Sequence, residues 1–117
     1  MTVVVAVPDS AEGTLALQAA VAEAKLFDTD VVAVNFGRGH LDISAYEGVT
    51  VLTLSPTSDQ VDGVLAVISE YNASRLVIGL KRRTPVGKAL LGSISQQLLL
   101  QSPIPVLSVK VDEDEED

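Results

Sequence analysis

The 117-residue chain contains no cysteine and a single histidine, His40. The first absence excludes disulfides, thiolate metal sites and cysteine nucleophiles, and it favours an intracellular setting over an oxidising one. The second leaves no histidine cluster to hold a metal. His40 has no partner at metal or triad spacing and reads as a solvated loop residue. No apolar run approaches the roughly 20 residues that a membrane-spanning helix needs. The N-terminus enters Val3-Val4-Val5 without a basic region or a cleavage site, so an unprocessed cytoplasmic protein with no membrane partner is expected. The formal net charge is −8, yet six acids (Asp112, Glu113, Asp114, Glu115, Glu116, Asp117) make up the tail, and setting them aside leaves −2 on the body. A nearly balanced body disfavours bulk DNA binding, because affinity for duplex scales with the number of phosphates neutralised. No nucleic-acid partner is expected.

With 47% hydrophobic residues, the chain is long enough for one core and short for two. Residues 1–111 are expected to form a single α/β domain, with 112–117 as an acidic, solubilising tail. Val3-Val4-Val5-Ala6-Val7 is a continuous β-branched run, the pattern of a strand buried on both faces of a parallel sheet. After Pro8-Asp9-Ser10 the period changes. Leu17, Ala20, Val21 and Ala24 recur as one face of a helix, which Phe27-Asp28-Thr29-Asp30 breaks. Val31 to Phe36 supplies a second buried strand, and Gly37 to Gly48 reads as a connection anchored by Leu41, Ile43 and Tyr46. Val49 to Leu54, with two threonines, suits an edge strand. A turn from Ser55-Pro56 leads to a helix carrying Val61, Val64, Leu65 and Ile68. A fourth strand covers Ser74 to Gly79, a third helix Ser93 to Gln101, and a fifth strand Val106 to Val111. Alternating strand and helix periods predict a doubly wound, five-stranded parallel sheet. In such sheets ligands bind beyond the carboxyl ends of the strands, where the strand order reverses. With the first and fourth strands adjacent there, Val7 to Ser10 would face Gly79 to Arg83.

The segment from Gly79 to Gln97 carries half the basic residues: Lys81, Arg82, Arg83 and Lys88. Glycines at 79, 87 and 92 permit close backbone approach, and Ser93 with Gln96 has capping-box spacing at a helix start. A helix N-terminus beside basic residues suits a phosphate or another anion; a solvated basic loop is the plainer alternative. Two better-known phosphate motifs fail. The Walker frame ending at Gly87-Lys88-Ala89 has Arg82 for its first glycine and Ala89 for its hydroxyl, and Gly37-Arg38-Gly39 has Asp42 at the third glycine position of a dinucleotide fingerprint. The serines at 10, 93 and 95 lie at helix starts, where capping explains them without nucleophilic chemistry. No catalytic or metal-ligating residue is assigned.

Gly79 and Gly92-Ser93 also stand at the spacing of a longer pattern: glycine, two residues, glycine, nine residues, then glycine with serine or threonine. Together with Ser93-Ile94-Ser95 and the closing Pro103-Ile104-Pro105-Val106-Leu107-Ser108-Val109-Lys110, the chain resembles the universal stress protein family. The resemblance implies a Rossmann-like sheet of order 3-2-1-4-5 and a stress-response regulator, with no more than slow incidental nucleotide hydrolysis. It implies ATP or AMP as ligand. The base would meet backbone near Phe36; Val7, Pro8, Asp9 and Ser10 would hold the nucleoside; Gly79, Gly92, Ser93, Ile94 and Ser95 would meet phosphate. Pro8 stands where the family often has aspartate, leaving Asp9 to orient the ribose. Arg82 stands at the second motif glycine. There its side chain either fills the space for phosphate or grips phosphate itself, together with Lys81. Leu107, Val109 and Val111 alternate with Ser108 and Lys110 on an expected sheet edge, and the family commonly pairs this strand with its mate, which implies a homodimer through Val106, Leu107, Ser108, Val109 and Lys110. A module of the same fold that binds no nucleotide and acts through its dimer surface is the alternative.

Overall fold

The computed structural model describes residues 2–8, 11–36, 41, 43–55, 59–82, 89–90 and 93–112. Strand β1 (Thr2–Val7) leads into helix α1 (Ala11–Leu26), and β2 (Asp30–Asn35) and β3 (Val49–Thr53) precede helix α2 (Gln60–Glu70). Then come β4 (Arg75–Arg82), the short β5 (Ala89–Leu90), helix α3 (Ser93–Gln101) and β6 (Val106–Asp112). Parallel pairing joins β3 to β2, β2 to β1, β1 to β4 and β4 to β6. Counting the parallel strands alone, the order is 3-2-1-4-5, as the sequence patterns and the resemblance lead one to expect.

The β1 run is apolar throughout because each face of the sheet is covered. Val3, Val5 and Val7 join Ala16, Leu17, Ala20, Val21 and Ala24 of α1 in one core. Val4 and Ala6 lie in the other, with Val61, Val64, Val67 and Ile68 of α2 and Leu98 of α3. Successive strand residues point to opposite faces, so a strand clad on both sides needs no polar alternation. Burying each valine is worth about 1.5–3 kcal/mol. Small residues on α1 let its backbone lie close over the strands. On that same face Leu41, Ile43 and Tyr46 pack against the core, which is the anchoring role expected of them.

Two helices end alike. Asp28 and Asn72 adopt left-handed backbone, with φ of 54° and 52°. Around them the Thr29 N–H donates to the Ala24 carbonyl at 2.9 Å and the Ala73 N–H to the Ile68 carbonyl at 3.0 Å. These bonds satisfy helix carbonyls that otherwise lack donors. At its start α2 is capped by Asp59, whose carboxylate accepts from Val61 N (3.0 Å) and Asp62 N (3.1 Å). The turn expected from Ser55-Pro56 runs into residues 56–58, outside those described, and the cap at Asp59 is one that periodicity does not reveal.

The fourth strand runs three residues past its expected end at Gly79. Glycine and lysine disfavour strands on propensity, but β6 pairs with β4 from Leu76↔Val106 to Arg82↔Asp112 and gives the backbone a partner along that length. Strand β5, antiparallel to β4, was not evident from the sequence.

Candidate functional site

The carboxyl ends of the parallel strands form the upper end of the sheet. There β1 and β2 stay in register to Val7↔Asn35, and the Phe36 N–H donates to the Val7 carbonyl at 3.0 Å. On its other side, β1 is in register with β4 only from Val3↔Arg75 to Val5↔Val77. Beyond that point the two halves of the sheet part, at the place where the strand order reverses. An opening at such a junction is where doubly wound sheets take their ligands.

One wall is the turn from β1 into α1. Val7 is buried at the strand end and Pro8 follows it. A Cβ at Gly13, in the first turns of α1, would overlap the Pro8 carbonyl oxygen and stand 3.1 Å from its carbon. The helix can seat against this turn only because residue 13 has no side chain. Neither composition nor periodicity points to Gly13, since its contact exists only after α1 has folded back over β1. Asn35 was also missed. It is the buried polar residue among those described, 4% exposed, in register with Val7 on one side and Thr53 on the other. A polar residue closing an apolar strand run was the available signal.

The other wall is β4. Gly79 lies within the strand, opposite Val109 of β6, and Lys81 and Arg82 continue it. A strand has two edges, and β6 takes one of them as far as Arg82. Strand β5, which pairs Lys81↔Leu90 and Arg82↔Ala89, must therefore use the edge that β1 uses lower down. Helix α3 begins at Ser93, shortly after β5. Ile94 and Leu98 seat it on the core, with Leu98 fully buried and Ser95 half-buried. Its first N–H groups have no partner within the helix and carry the positive end of its dipole.

Of the residues expected at the site, Val7, Pro8 and Phe36 converge on one wall, Gly79 and Arg82 lie along the other, and Ser93, Ile94 and Ser95 start the adjoining helix. Asp9, Ser10 and Gly92 lie outside the described residues, as do His40, Asp42, Arg83, Gly87 and Lys88. With Ser93 as the first helical residue, the preceding cap position also falls outside them. Among the described residues no three His, Asp or Glu side chains form a group that could hold a metal ion. No helix there is long and apolar enough to cross a membrane. Among the described residues the junction offers backbone N–H groups and a helix terminus, which suit an anion.

The model of the universal stress protein family matches residues 40–110. The chain belongs to the universal stress protein family. A universal stress protein of Mycolicibacterium smegmatis is 35% identical over 115 residues, which span 84% of this chain and 88% of the relative. Among solved structures, a universal stress protein from Archaeoglobus fulgidus superposes with a TM-score of 0.73 at 25% identity, covering 94% of this chain and 98% of that one. A universal stress protein structure from the same organism, in complex with dAMP, has a TM-score of 0.67 at 22% identity over 94% and 98% of the two chains. The family's sheet order and the order found here agree.

Proposed function

We propose that this universal stress protein is a cytoplasmic stress-response regulator that binds an adenine nucleotide, AMP or ATP, at the junction of β1 and β4. The observation that carries the reading is the parting of β1 from β4 above Val5↔Val77, beside a helix that starts at Ser93. The nucleoside rests on Val7, Pro8 and Phe36, with Asp9 orienting the ribose and Ser10 next to it in sequence. Gly79, Gly92, Ser93, Ile94 and Ser95 meet phosphate, and Arg82 with Lys81 neutralises it. The dAMP complex of the Archaeoglobus fulgidus protein supports an adenine ligand for this fold. The role is binding rather than turnover, because no residue in this reading serves as a positioned base.

The test begins with the purified protein, heated to release bound small molecules, which mass spectrometry identifies. Released adenine nucleotide, or a calorimetric response to AMP or ATP, is expected. A blank in both measurements would leave the second reading: a module of the same fold without nucleotide, acting through a homodimer surface. That reading is favoured by the outer edge of β6, which among the described residues pairs only with β4 and has Leu107 38% exposed. Pairing of two β6 edges through Val106 to Lys110 is expected under either reading, and a monomer in light scattering at micromolar concentration would rule it out.

A further inference from the structure

Strand β3 is an edge of the sheet: among the described residues it pairs with β2 alone. The direction of its remaining backbone groups follows from the two bonds that bracket it. The Val31 N–H donates to the Gly48 carbonyl and the Leu54 N–H to the Asn35 carbonyl, both at 3.1 Å. Along a parallel ladder, alternate residues turn their N–H and C=O toward the same neighbour, so Gly48, Thr50, Leu52 and Leu54 face β2. Val49, Val51 and Thr53 turn theirs the other way, toward the outer edge.

Edge strands in soluble proteins are usually blunted by a lysine, a proline or a bulge. Val49-Thr50-Val51-Leu52-Thr53 has no charge and no proline, and its register with β2 is unbroken from Val31↔Val49 to Asn35↔Thr53. Val49 and Val51 pack against the α1-side core and Leu52 against the other, while Thr50 and Thr53 are exposed. The strand is therefore anchored on both faces, with its outer donors and acceptors set in the spacing that one more strand requires.

The charge around this edge has one sign. Between Arg38 and Arg75 the chain carries Asp42, Glu47, Asp59, Asp62 and Glu70 and neither lysine nor arginine. Exposed Glu47 precedes β3, and a Cβ at Gly48 would lie 3.9 Å from Oδ1 of Asp30, which puts a second carboxylate beside the start of the strand. At the other end α2 seats Gly63 against Leu54, which brings exposed Asp59 and Asp62 near the close of β3. Acids thus flank the edge at both ends. A second copy of β3, in either direction, would bring acids to acids, whereas a segment with basic ends meets its complement.

We propose that the outer edge of β3 docks an extended segment of a partner protein, β-branched in its middle and flanked by lysine or arginine, which joins the sheet as a further strand. Strand β2 separates this edge from β1, so docking here is independent of the nucleotide reading.

The test is fluorescence polarisation of the full chain with a labelled peptide of alternating valine and threonine that carries lysines at both ends, compared with the same peptide carrying glutamates. The native chain is expected to bind the lysine peptide about tenfold more tightly, a gap that narrows as salt screens the acids. Val51→Pro removes an N–H that β2 does not use, a change tolerated on edge strands, and is expected to lower affinity for the lysine peptide about tenfold. Glu47→Lys, on the exposed approach to β3, is expected to weaken the lysine peptide about threefold and to strengthen the glutamate one. No binding of the lysine peptide, equal binding of the two peptides, or unchanged binding by folded Val51→Pro overturns the proposal. So does a native chain larger than Val51→Pro in light scattering, because a second copy would then cover the edge. If circular dichroism shows Val51→Pro unfolded, Glu47→Lys and the two-peptide comparison decide.

Discussion

At the lower end of the sheet, Arg75 Nε donates to a Glu23 carboxylate oxygen at 2.9 Å while its guanidinium lies 4.6 Å from the centre of the Phe27 ring. The Ser74 N–H reaches the Thr2 carbonyl at 2.8 Å, and the Leu76 N–H reaches that of Pro105 at 3.0 Å. Two left-handed helix ends, at Asp28 and Asn72, close the same side. At the upper end the strands β1 and β4 part, and a two-residue strand from another part of the chain takes up the edge that β1 leaves. The lower end spends its polar groups on itself. The upper end is where the connectivity obliges the sheet to split, so stability and binding are expected to respond to different residues.

The largest separation of the two is expected for Leu76→Ala. Leu76 is wholly buried in the lower half of the core, and removing its side chain should cost about 2–5 kcal/mol in urea unfolding. The remaining folded protein should bind AMP as before; weaker binding would mean that the two ends are coupled through β4. Gly13→Ala is expected to cost about 1–3 kcal/mol, the range for forcing a group into filled space. Unlike Leu76→Ala it should also weaken AMP binding, because the Pro8 turn must shift. Thr14→Ala, on the exposed side of the same helix turn, controls for helix propensity. If calorimetry finds AMP affinity unaltered in Gly13→Ala, the turn is not a wall of the site.

Smaller effects sharpen the contrast. Loss of the α2 cap in Asp59→Ala should cost about 1 kcal/mol, visible as a lowered denaturation midpoint with an unchanged slope. Asn72→Gly is expected to stabilise by up to about 1 kcal/mol, since glycine adopts the left-handed backbone there without steric strain. It should leave ligand binding untouched, being at the closed end. A destabilised Asn72→Gly would show that the asparagine side chain holds that turn.

Much of the fold is legible in the chain because burial imposes period. Val3 to Val7 announces a central strand, and Leu17, Ala20, Val21 and Ala24 announce a helix lying on it; all are buried as the pattern requires. The site is legible only in outline. Gly79 and Ser93 mark where a strand ends and a helix starts, but the strand end lies at Arg82, because β6 lends pairing that propensity cannot foresee. Asp28 and Asn72 are poor advertisements for left-handed turns, as either residue also suits caps and loops. Strand β5 offers two residues, Ala89 and Leu90, too few for any periodicity.

What the sequence determined by itself is therefore the class of architecture: apolar periods decide which residues are buried, and buried residues decide that helices clad both faces of a parallel sheet. The family follows as well, from glycine spacing and the closing strand. What only the tertiary structure decided is who occupies each strand edge. Backbone hydrogen bonding is blind to side-chain pattern, so the division of the β4 edge between β1 and β5 appears only when the strands are assembled.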